Sequence, residues 1–120
     1  MTRCDDRGAV SSVALGVSVL LLVVAGGALE LGVAVGVKHT AASAADLAAL
    51  AGSRAVEASA DGCAAAGLVA RRNGAELVEC RLDAAVATVT TEVRTPRWWG
   101  RTWTSRQVAR AAPATYLEEP

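Results

Sequence analysis

The stretch AVSSVALGVSVLLLVVAGGALELGVAVGV, residues 9–37, decides the fold because it contains a single ionisable side chain, Glu30. Residues 9–29 are uncharged and mostly apolar, and as a helix they rise roughly 31 Å at 1.5 Å per residue. That length matches the hydrocarbon core of a bilayer, about 30 Å thick. A secretory signal has a shorter apolar core, of roughly 7–15 residues. The sequence therefore predicts a retained transmembrane helix over residues 9–37.

The charges on either side of this run give little information about its orientation. The head, residues 1–8, contains two arginines and two aspartates, and Lys38 follows the run directly. The positive-inside rule therefore has almost nothing to act on. Cys63 and Cys80 are more informative, because paired cysteines favour an oxidising compartment. We expect the head to lie in the cytoplasm and the carboxyl-terminal domain outside.

Glycines and one carboxylate mark the predicted membrane helix. Glu30 follows Leu29, where a spanning segment of about 20 residues can end, so we expect its carboxylate to lie among lipid headgroups. An intramembrane contact with a partner subunit is the alternative for Glu30. Gly32 and Gly36 form a G-x-x-x-G, which lets helix backbones approach closely. These two glycines are the predicted helix-packing positions.

The stretch HTAASAADLAALAGSRAVEASA, residues 39–60, is dominated by alanine and contains no proline. Alanine is the best helix former, so we expect a helical extension over residues 38–60 that ends at the Ala60-Asp61-Gly62 break. The large apolar side chains of this extension are Leu47, Leu50 and Val56. We expect its narrow, methyl-rich face to lie against another helix rather than to hold a compact monomer together.

Residues 61–112 show one helical pattern followed by three strand patterns. Residues 63–73 predict a short helix that Gly74 ends. Residues 76–82 predict a strand that turns at Asp83-Ala84, and residues 86–94, rich in Val and Thr, predict a second. The stretch TWTSRQVARA predicts a third strand. On the core-facing sides of the first two strands we expect Val78, Cys80 and Leu82, and Ala87, Val89, Thr91 and Val93.

These patterns define an α+β fold class. A long amino-terminal transmembrane helix continues as an Ala-rich helix, and a small helix with a three-stranded antiparallel sheet follows. Residues 61–112 form a small extracytoplasmic domain in this prediction. Residues 113–120 are predicted to be a flexible tail.

Cys63 and Cys80 are predicted to form a disulfide. Cys63 begins the short helix, on a stripe of small residues, and alternation places Cys80 on the strand face that meets this helix. Closing a loop of this size contributes about 3 kcal/mol in the entropic model, a large share for so small a core. Two unpaired buried thiols are the alternative, which would suit a cytoplasmic domain better.

Tryptophans and arginines are interleaved in the stretch RTPRWWGRTWTSR. Such a mixture can bind nucleic acid, but a membrane-tethered domain outside the cytoplasm argues against that partner. We expect Trp98 and Trp99, at the tip of the loop, to contact membrane headgroups or a partner protein. Trp103 is expected to pack onto the sheet instead.

No pattern indicates chemistry. His39 is the only histidine, and no recognisable motif places a serine or a cysteine beside it, so a catalytic triad is not expected. The cysteines lack C-x-x-C spacing, which argues against zinc. We therefore predict no catalytic, cofactor-binding or metal residue, no enzymatic activity and no small-molecule substrate. The formal net charge of zero gives no indication of nucleic acid as a partner.

The order of these features resembles a known family. The segment DRGAVSSVALGV, the long apolar helix, KHTAASAADLAALAGS and the small Cys-containing domain look like the TadE-like and TadG-like proteins. These are pilin-like (pseudopilin) proteins encoded with tight-adherence, Flp-type pilus assembly machinery. The similarity is greatest to short TadE-like proteins of high-GC Gram-positive bacteria. In those proteins a basic residue and His precede an AADLAALA-type segment, and a C…C pair follows the helix.

The resemblance implies a prepilin-type leader. Such leaders are cut after a glycine that precedes the apolar helix, and Gly8 followed by Ala9 fits that position. Pilin-like sequences usually carry a glutamate five residues into the mature chain, where this chain has Val13. Glu30 cannot replace it, because it lies roughly 31 Å along the helix from Ala9.

The resemblance also implies a function, a location and partners. The chain would be a pilin-like structural component of a Tad/Flp-type pilus or related secretion apparatus, anchored in the cell membrane by one helix. Its partners would be membrane lipid and, through helix packing, other pilus or secretion components. The alternative is a secreted or membrane-tethered binding protein unrelated to pili, whose secreted form signal peptidase would free near Ala45.

Overall fold

The computed structural model describes residues 7–97 and 100–114, and it confirms the predicted α+β class. Its elements in chain order are helix α1 (Arg7–Glu57), helix α2 (Gly62–Arg72) and strands β1 (Glu76–Asp83), β2 (Val86–Arg94) and β3 (Thr104–Ala111). The chain divides into two units, Met1–Val33 (unit 1) and Ala34–Pro120 (unit 2). The Ala-rich extension and the small domain, treated separately above, thus belong to one unit.

The three strands form one antiparallel sheet in the order β1-β2-β3, with β2 at its centre. The face of β2 predicted to meet the core is buried, as expected for a central strand covered by helices. Its members are Ala87, Val89, Thr91 and Val93. The predicted antiparallel arrangement is confirmed for the second and third strands, because β2 pairs with β3 from Ala87↔Ala111 to Arg94↔Thr104.

The part of α1 that lies in unit 2 covers this sheet with a stripe of alanines. The stripe is at most 1% exposed and consists of Ala41, Ala44, Ala45, Ala48 and Ala49. Its spacings of three and four residues place the methyl groups on one face of the helix. Both the sheet, through Val89 and Ala109, and helix α2 of the same chain, through Ala66 and Ala70, pack against this face. The expectation that the face does not hold a compact monomer together is therefore wrong. Leu47 and Leu50, 45% and 44% exposed, lie outside the stripe.

Two side-chain hydrogen bonds join α1 to the sheet region of unit 2, one to strand β2 and one to the β1–β2 turn. The hydroxyl of Thr91 donates to the carbonyl oxygen of Ala41 at 2.8 Å, inside the core. The hydroxyl of Ser53 donates to the carbonyl oxygen of Ala85, also at 2.8 Å. Because these bonds satisfy hydroxyls that the core would otherwise leave without water, they add directional contacts to a core made mainly of methyl groups.

Helix α2 has a defined cap at each end. Asp61 accepts a hydrogen bond from the backbone N–H of Ala64 at 3.0 Å, the usual role of an aspartate at this position. At the other end Gly74 has a φ of +74°. The N–H groups of Gly74 and Ala75 donate to the carbonyls of Arg71 and Ala70, which is a Schellman motif. The predicted stop at Gly74 is confirmed.

The predicted disulfide between Cys63 and Cys80 is present and ties α2 to β1, with the two Cα atoms 5.9 Å apart. The cysteines are 17 residues apart in the sequence, a loop length for which the entropic model gives about 3 kcal/mol. Leu77 and Cys80 pack against the main core cluster from β1. The disulfide therefore strengthens the packing of β1, which contributes some of the few core side chains larger than a methyl group.

Three details of the prediction are corrected. The register of β1 on β2 shifts between Leu77 and Glu79, so Val78 is an extra, bulged residue, and it is exposed rather than on the core face. Leu77, on the other side of the shift, takes the core-facing place. Helix α1 ends at Glu57 instead of continuing to residue 60, because Ser59 adopts a positive φ of 58°. The turn before β2 is made by Ala84 and Ala85.

The remaining predicted segments have a mixed outcome. Residues 1–6 of the predicted head and residues 115–120 of the predicted tail lie outside the described residues. The predicted boundaries between segments therefore stay predictions. The charged side chains of the extension, Asp46, Arg54 and Glu57, are all exposed.

The first turn of α2 approaches the last turns of α1 through glycine. A Cβ atom added at Gly62 would lie 2.8 Å from the carbonyl oxygen of Gly52 and 2.8 Å from Cγ2 of Val56. A Cβ added at Gly67, one helical turn further on, would meet its nearest neighbours at 3.5 and 3.6 Å, which is ordinary contact. The two glycines of α2 thus differ in whether the packing requires them.

We expect Gly62→Ala to destabilise unit 2 by about 1–3 kcal/mol, because the backbone oxygen of Gly52 must move to admit the methyl group. The matched variant Gly67→Ala should be neutral or stabilising by up to ~1 kcal/mol, since alanine is the better helix former. Denaturant unfolding of the full chain in detergent, followed by tryptophan emission, measures both. Equal stability of the two variants would contradict the close approach at Gly62.

Candidate functional site

The most unusual surface of the described chain is the apolar part of α1 in unit 1. From Val10 to Val33 every valine and leucine is between 46% and 73% exposed. Each such side chain gains ~1.5–3 kcal/mol when it moves from water into an apolar environment. A surface of this size is not stable in water, so this segment needs an apolar environment that unit 1 by itself does not supply.

The length and composition of α1 fit a membrane as that environment. One stretch of the helix, within Val10–Glu57, is long and apolar enough to cross a bilayer, and no part of its most apolar window is buried. A core helix of a soluble protein can have the same composition, but it would be mostly buried. A cleaved signal sequence near the amino terminus would also satisfy the criterion. The alternative of a secreted chain therefore stays open.

The predicted helix-packing glycines, Gly32 at the end of unit 1 and Gly36 at the start of unit 2, both lie on α1 and are uncovered. A Cβ atom added at Gly32 or at Gly36 would meet no atom within 4 Å. The same is true of Gly16, Gly26 and Gly27. Nothing among the described residues therefore uses the missing side chains, and the role of Gly32 and Gly36 in helix packing stays a prediction. Glu30, on the same helix, is exposed.

The predicted leader-cleavage positions fall in the first turn of α1. Helix α1 begins at Arg7, and Gly8 is exposed with no atom within 4 Å of an added Cβ. Cleavage between Gly8 and Ala9 stays a prediction.

The predicted contact residues Trp98 and Trp99 lie outside the described residues, between exposed Arg97 and exposed Gly100. The base of their loop is well defined. The N–H of Thr95 donates to the carbonyl oxygen of Trp103 at 2.9 Å, and the N–H of Trp103 donates to the Thr95 hydroxyl at 2.9 Å. Trp103 is 37% exposed, so it is only partly packed. These hydrogen bonds fix the position from which the loop leaves the sheet.

Sequence reasoning missed a buried carboxylate at this end of the sheet. Glu92 on β2 is 3% exposed and lies on the sheet face opposite the helices. The guanidinium group of Arg94 donates a hydrogen bond to one carboxylate oxygen of Glu92, and that of Arg106 donates to the other. Arg106 sits directly across the strand pair from Glu92. The register of the β2–β3 hairpin could have revealed this pair, but the sequence does not fix that register.

The two arginines cover the carboxylate while remaining in solvent themselves, with side chains about two-thirds exposed. The hydrogen bond from Arg106, followed by that from Arg94, lowers the pKa of the Glu92 carboxyl below its ordinary range, although burial acts in the opposite direction. The same contact raises the pKa of Arg106. This cluster fixes three charges at the start of the loop and has no partner suited to acid–base chemistry.

A shallow cleft of about 740 Å³ lies between α2 and the first residues of β1. Its walls combine small side chains with two arginines and two glutamates, and include Ala64, Gly67, Arg71, Glu76, Glu92 and Arg94. Within residues 7–97 and 100–114, no three His, Cys, Asp or Glu side chains are arranged to hold a metal ion. The predictions of no enzymatic activity, no cofactor and no small-molecule substrate remain predictions.

Comparison with known proteins gave no relative for this chain: no family model, no curated protein and no solved structure matches it.

We expect the Glu92 cluster to make the stability of unit 2 depend on pH in acid. Because the folded state lowers the pKa of Glu92, its contribution is complete above the unfolded value of about 4.3 and is lost as the pH falls through the lower folded value. The stability difference between wild type and Glu92→Gln should therefore be constant above about pH 6 and shrink below about pH 4.

Denaturant midpoints across this pH range measure that difference. Glu57→Gln, at an exposed carboxyl of α1, provides the background of a glutamate without this pair of arginines. A wild-type advantage over Glu92→Gln that persisted unchanged to pH 2 would contradict the ion-pair assignment.

Proposed function

We propose that the chain is a pilin-like structural component of a Tad/Flp-type pilus or related secretion apparatus, anchored by one transmembrane helix. The observation that carries the proposal is the exposed apolar stretch of α1, followed without a break in the helix by a disulfide-bonded unit. The resemblance of residues 6–17 and 38–53 to TadE-like proteins supplies the particular apparatus.

The disulfide supports an orientation with unit 2 outside the cytoplasm. Disulfides persist in oxidising compartments and are rare in a reduced cytosol. With unit 2 outside the cell membrane, the head before the apolar stretch would lie in the cytoplasm. Cys63 and Cys80 would then be oxidised, and Cys4, outside the described residues, would be a reduced thiol.

The open glycines support a role in assembly. Among the described residues, no atom would lie within 4 Å of a Cβ added at Gly32 or Gly36, and close backbone approach through glycine is a common way for membrane helices to associate. The proposal therefore assigns Gly32 and Gly36 to contacts with helices of partner subunits. Unit 2 would present its surface to the outside, held by the anchor.

The alternative is a secreted or tethered binding protein unrelated to pili, because a cleaved signal sequence can have the composition of the apolar stretch. The two functions differ in the mature chain. A structural component keeps α1, with or without a cut after Gly8, whereas a secreted protein loses about 45 residues at a signal-peptidase site.

We expect the protein to stay in membranes during carbonate and high-salt washing, since only peripheral proteins are released by these treatments. Intact mass of the membrane-extracted protein should correspond to the full chain or to the chain without residues 1–8. Thiol alkylation of the denatured, unreduced protein should label Cys4, where it is retained, and spare Cys63 and Cys80. Release by carbonate, or a mass that lacks the apolar stretch, would overturn the anchored structural role.

We expect Gly32→Leu to reduce co-purification with partner membrane proteins, because the added side chain blocks close backbone approach. Gly16→Leu is the matched control: it makes the same change at another open glycine of α1, on a different side of the helix by the 100° rotation per residue. Similar recovery of partners with both variants, at equal protein levels, would show that the G-x-x-x-G merely faces lipid.

A further inference from the structure

The positively charged side chains of unit 2 are unevenly distributed between its two ends. The direction of β2 along α1 shows which segments lie at each end. Near the end of α1, a Cβ added at Gly52 would lie 3.2 Å from Cβ of Ala87, at the start of β2. Ala41 bonds to Thr91 in the middle of β2. Val37 shares a core cluster with Val93, at the end of β2. β2 therefore runs antiparallel to α1, back toward Ala34, where the chain enters unit 2.

Helix α2 returns in the same direction. Its first residue, Gly62, lies beside Gly52, whereas Gly74, just past its end, lies near Thr40. Ala75 belongs to the cluster of Val37 and Val93. The end of α2, the end of β2 and the base of the β2–β3 loop are consequently all at the chain-entry end of unit 2.

This end is strongly basic. We call it the basic end of unit 2 and define it by six exposed side chains: Lys38, Arg71, Arg72, Arg94, Arg97 and Arg101. Arg106 lies beside them through Glu92. Among the described residues, three carboxyls stand against these seven cations: Glu76 and Glu92, which face each other across β1 and β2, and Glu79, whose charge acts on Arg106.

The opposite end has no such excess. Its arginines are Arg54, Arg81 and Arg110, and its carboxylates are Glu57, Asp61 and Asp83. Arg81 and Arg110 flank Thr88, near the start of β2. Three cations are thus matched by three anions, although both ends belong to a chain whose formal net charge is zero.

The chain itself connects the basic end to the apolar stretch. Lys38 follows Val33, the last residue of unit 1, by five positions, roughly 8 Å of helix rise. If the apolar stretch spans a bilayer, as the proposed function holds, Lys38 lies within about one Debye length (~8–10 Å) of the end of that stretch, and the other cations belong to the same end of unit 2. Most of them are far from the apolar stretch in sequence and reach this end only when unit 2 folds.

We propose that the basic end of unit 2 binds the phosphate groups of anionic phospholipids in the leaflet next to it. Arginine donates several hydrogen bonds in a planar fork that matches phosphate. Each basic side chain held near an anionic leaflet strengthens its attraction by about fivefold. Binding there restrains unit 2 close to the bilayer surface. An acidic partner protein would require the same cations but not the lipid.

The test uses the full chain reconstituted in phosphatidylcholine vesicles that contain a small fraction of dansyl-labelled lipid. All three tryptophans fall within residues 98–103, and the base of that loop lies at the basic end, so energy transfer from tryptophan to dansyl reports lipid near this end. We expect transfer to dansyl-phosphatidylglycerol to exceed transfer to dansyl-phosphatidylcholine by about twofold or more at low salt. The excess should fall in 0.5 M NaCl. Equal transfer to both lipids would overturn the proposal.

Matched variants locate the effect. The triple variant Arg71→Glu/Arg72→Glu/Arg97→Glu should abolish the preference for the anionic lipid and leaves the arginines that hold Glu92 unchanged. Arg54→Glu/Arg81→Glu/Arg110→Glu makes the same change in net charge at the opposite end and should retain the preference. Equal loss in both would assign the effect to total charge and overturn the site. The salt dependence of the wild type tests lipid binding without any variant.

Carbonate washing of the same vesicles separates this inference from the proposed function. Protein that stays in the vesicles but shows no lipid preference leaves the anchor standing and overturns lipid binding at the basic end. Protein that is released overturns both.

Discussion

The close contact between the alanine stripe of α1 and the central strand β2 is the constraint on which unit 2 depends. Ala41, Ala44, Ala45, Ala48 and Ala49 lose essentially all exposure there. Methyl groups bring little apolar area per residue, about 0.8 kcal/mol for each buried CH₂-sized group. Their small size instead brings the helix backbone near the sheet, so that Thr91 can reach the carbonyl of Ala41.

The small volume of the core side chains explains the other features of unit 2. The largest fully buried side chains of the core are Val89 and Thr91. A core with so little side-chain volume depends on interactions that do not need large side chains. The Asp61 cap and the Gly74 Schellman motif define the ends of α2. The disulfide then holds α2 against β1. Gly62 also allows close packing without a side chain, because its Cα hydrogen fits against Gly52 where a Cβ atom would not.

The packing of β2 along α1 also decides the surface of unit 2. Because the strand runs back toward Ala34, its last residue, Arg94, and the loop after it lie at the chain-entry end. The Glu92 cluster stabilises this arrangement by giving the carboxylate two guanidinium partners, which is why a buried acid is tolerated on an otherwise solvated sheet face. Anchoring, an external disulfide-bonded unit and a basic end near lipid are consistent with one another.

The sequence by itself determined every element and its type. The length of the apolar run predicted the amino-terminal helix, and the alanine content predicted its extension. Gly74 marked the end of α2, and alternation identified the core face of β2. Spacing and alternation also identified the cysteine pair. These are local properties, encoded within a few neighbouring residues. Tertiary structure alone decided that the alanines cover a sheet, that Val78 is bulged out of β1, that Glu92 meets Arg106 and that distant arginines gather at one end. Each of these depends on strand register and on helix–sheet direction, which are set by contacts between residues far apart in the chain, and no local pattern encodes them.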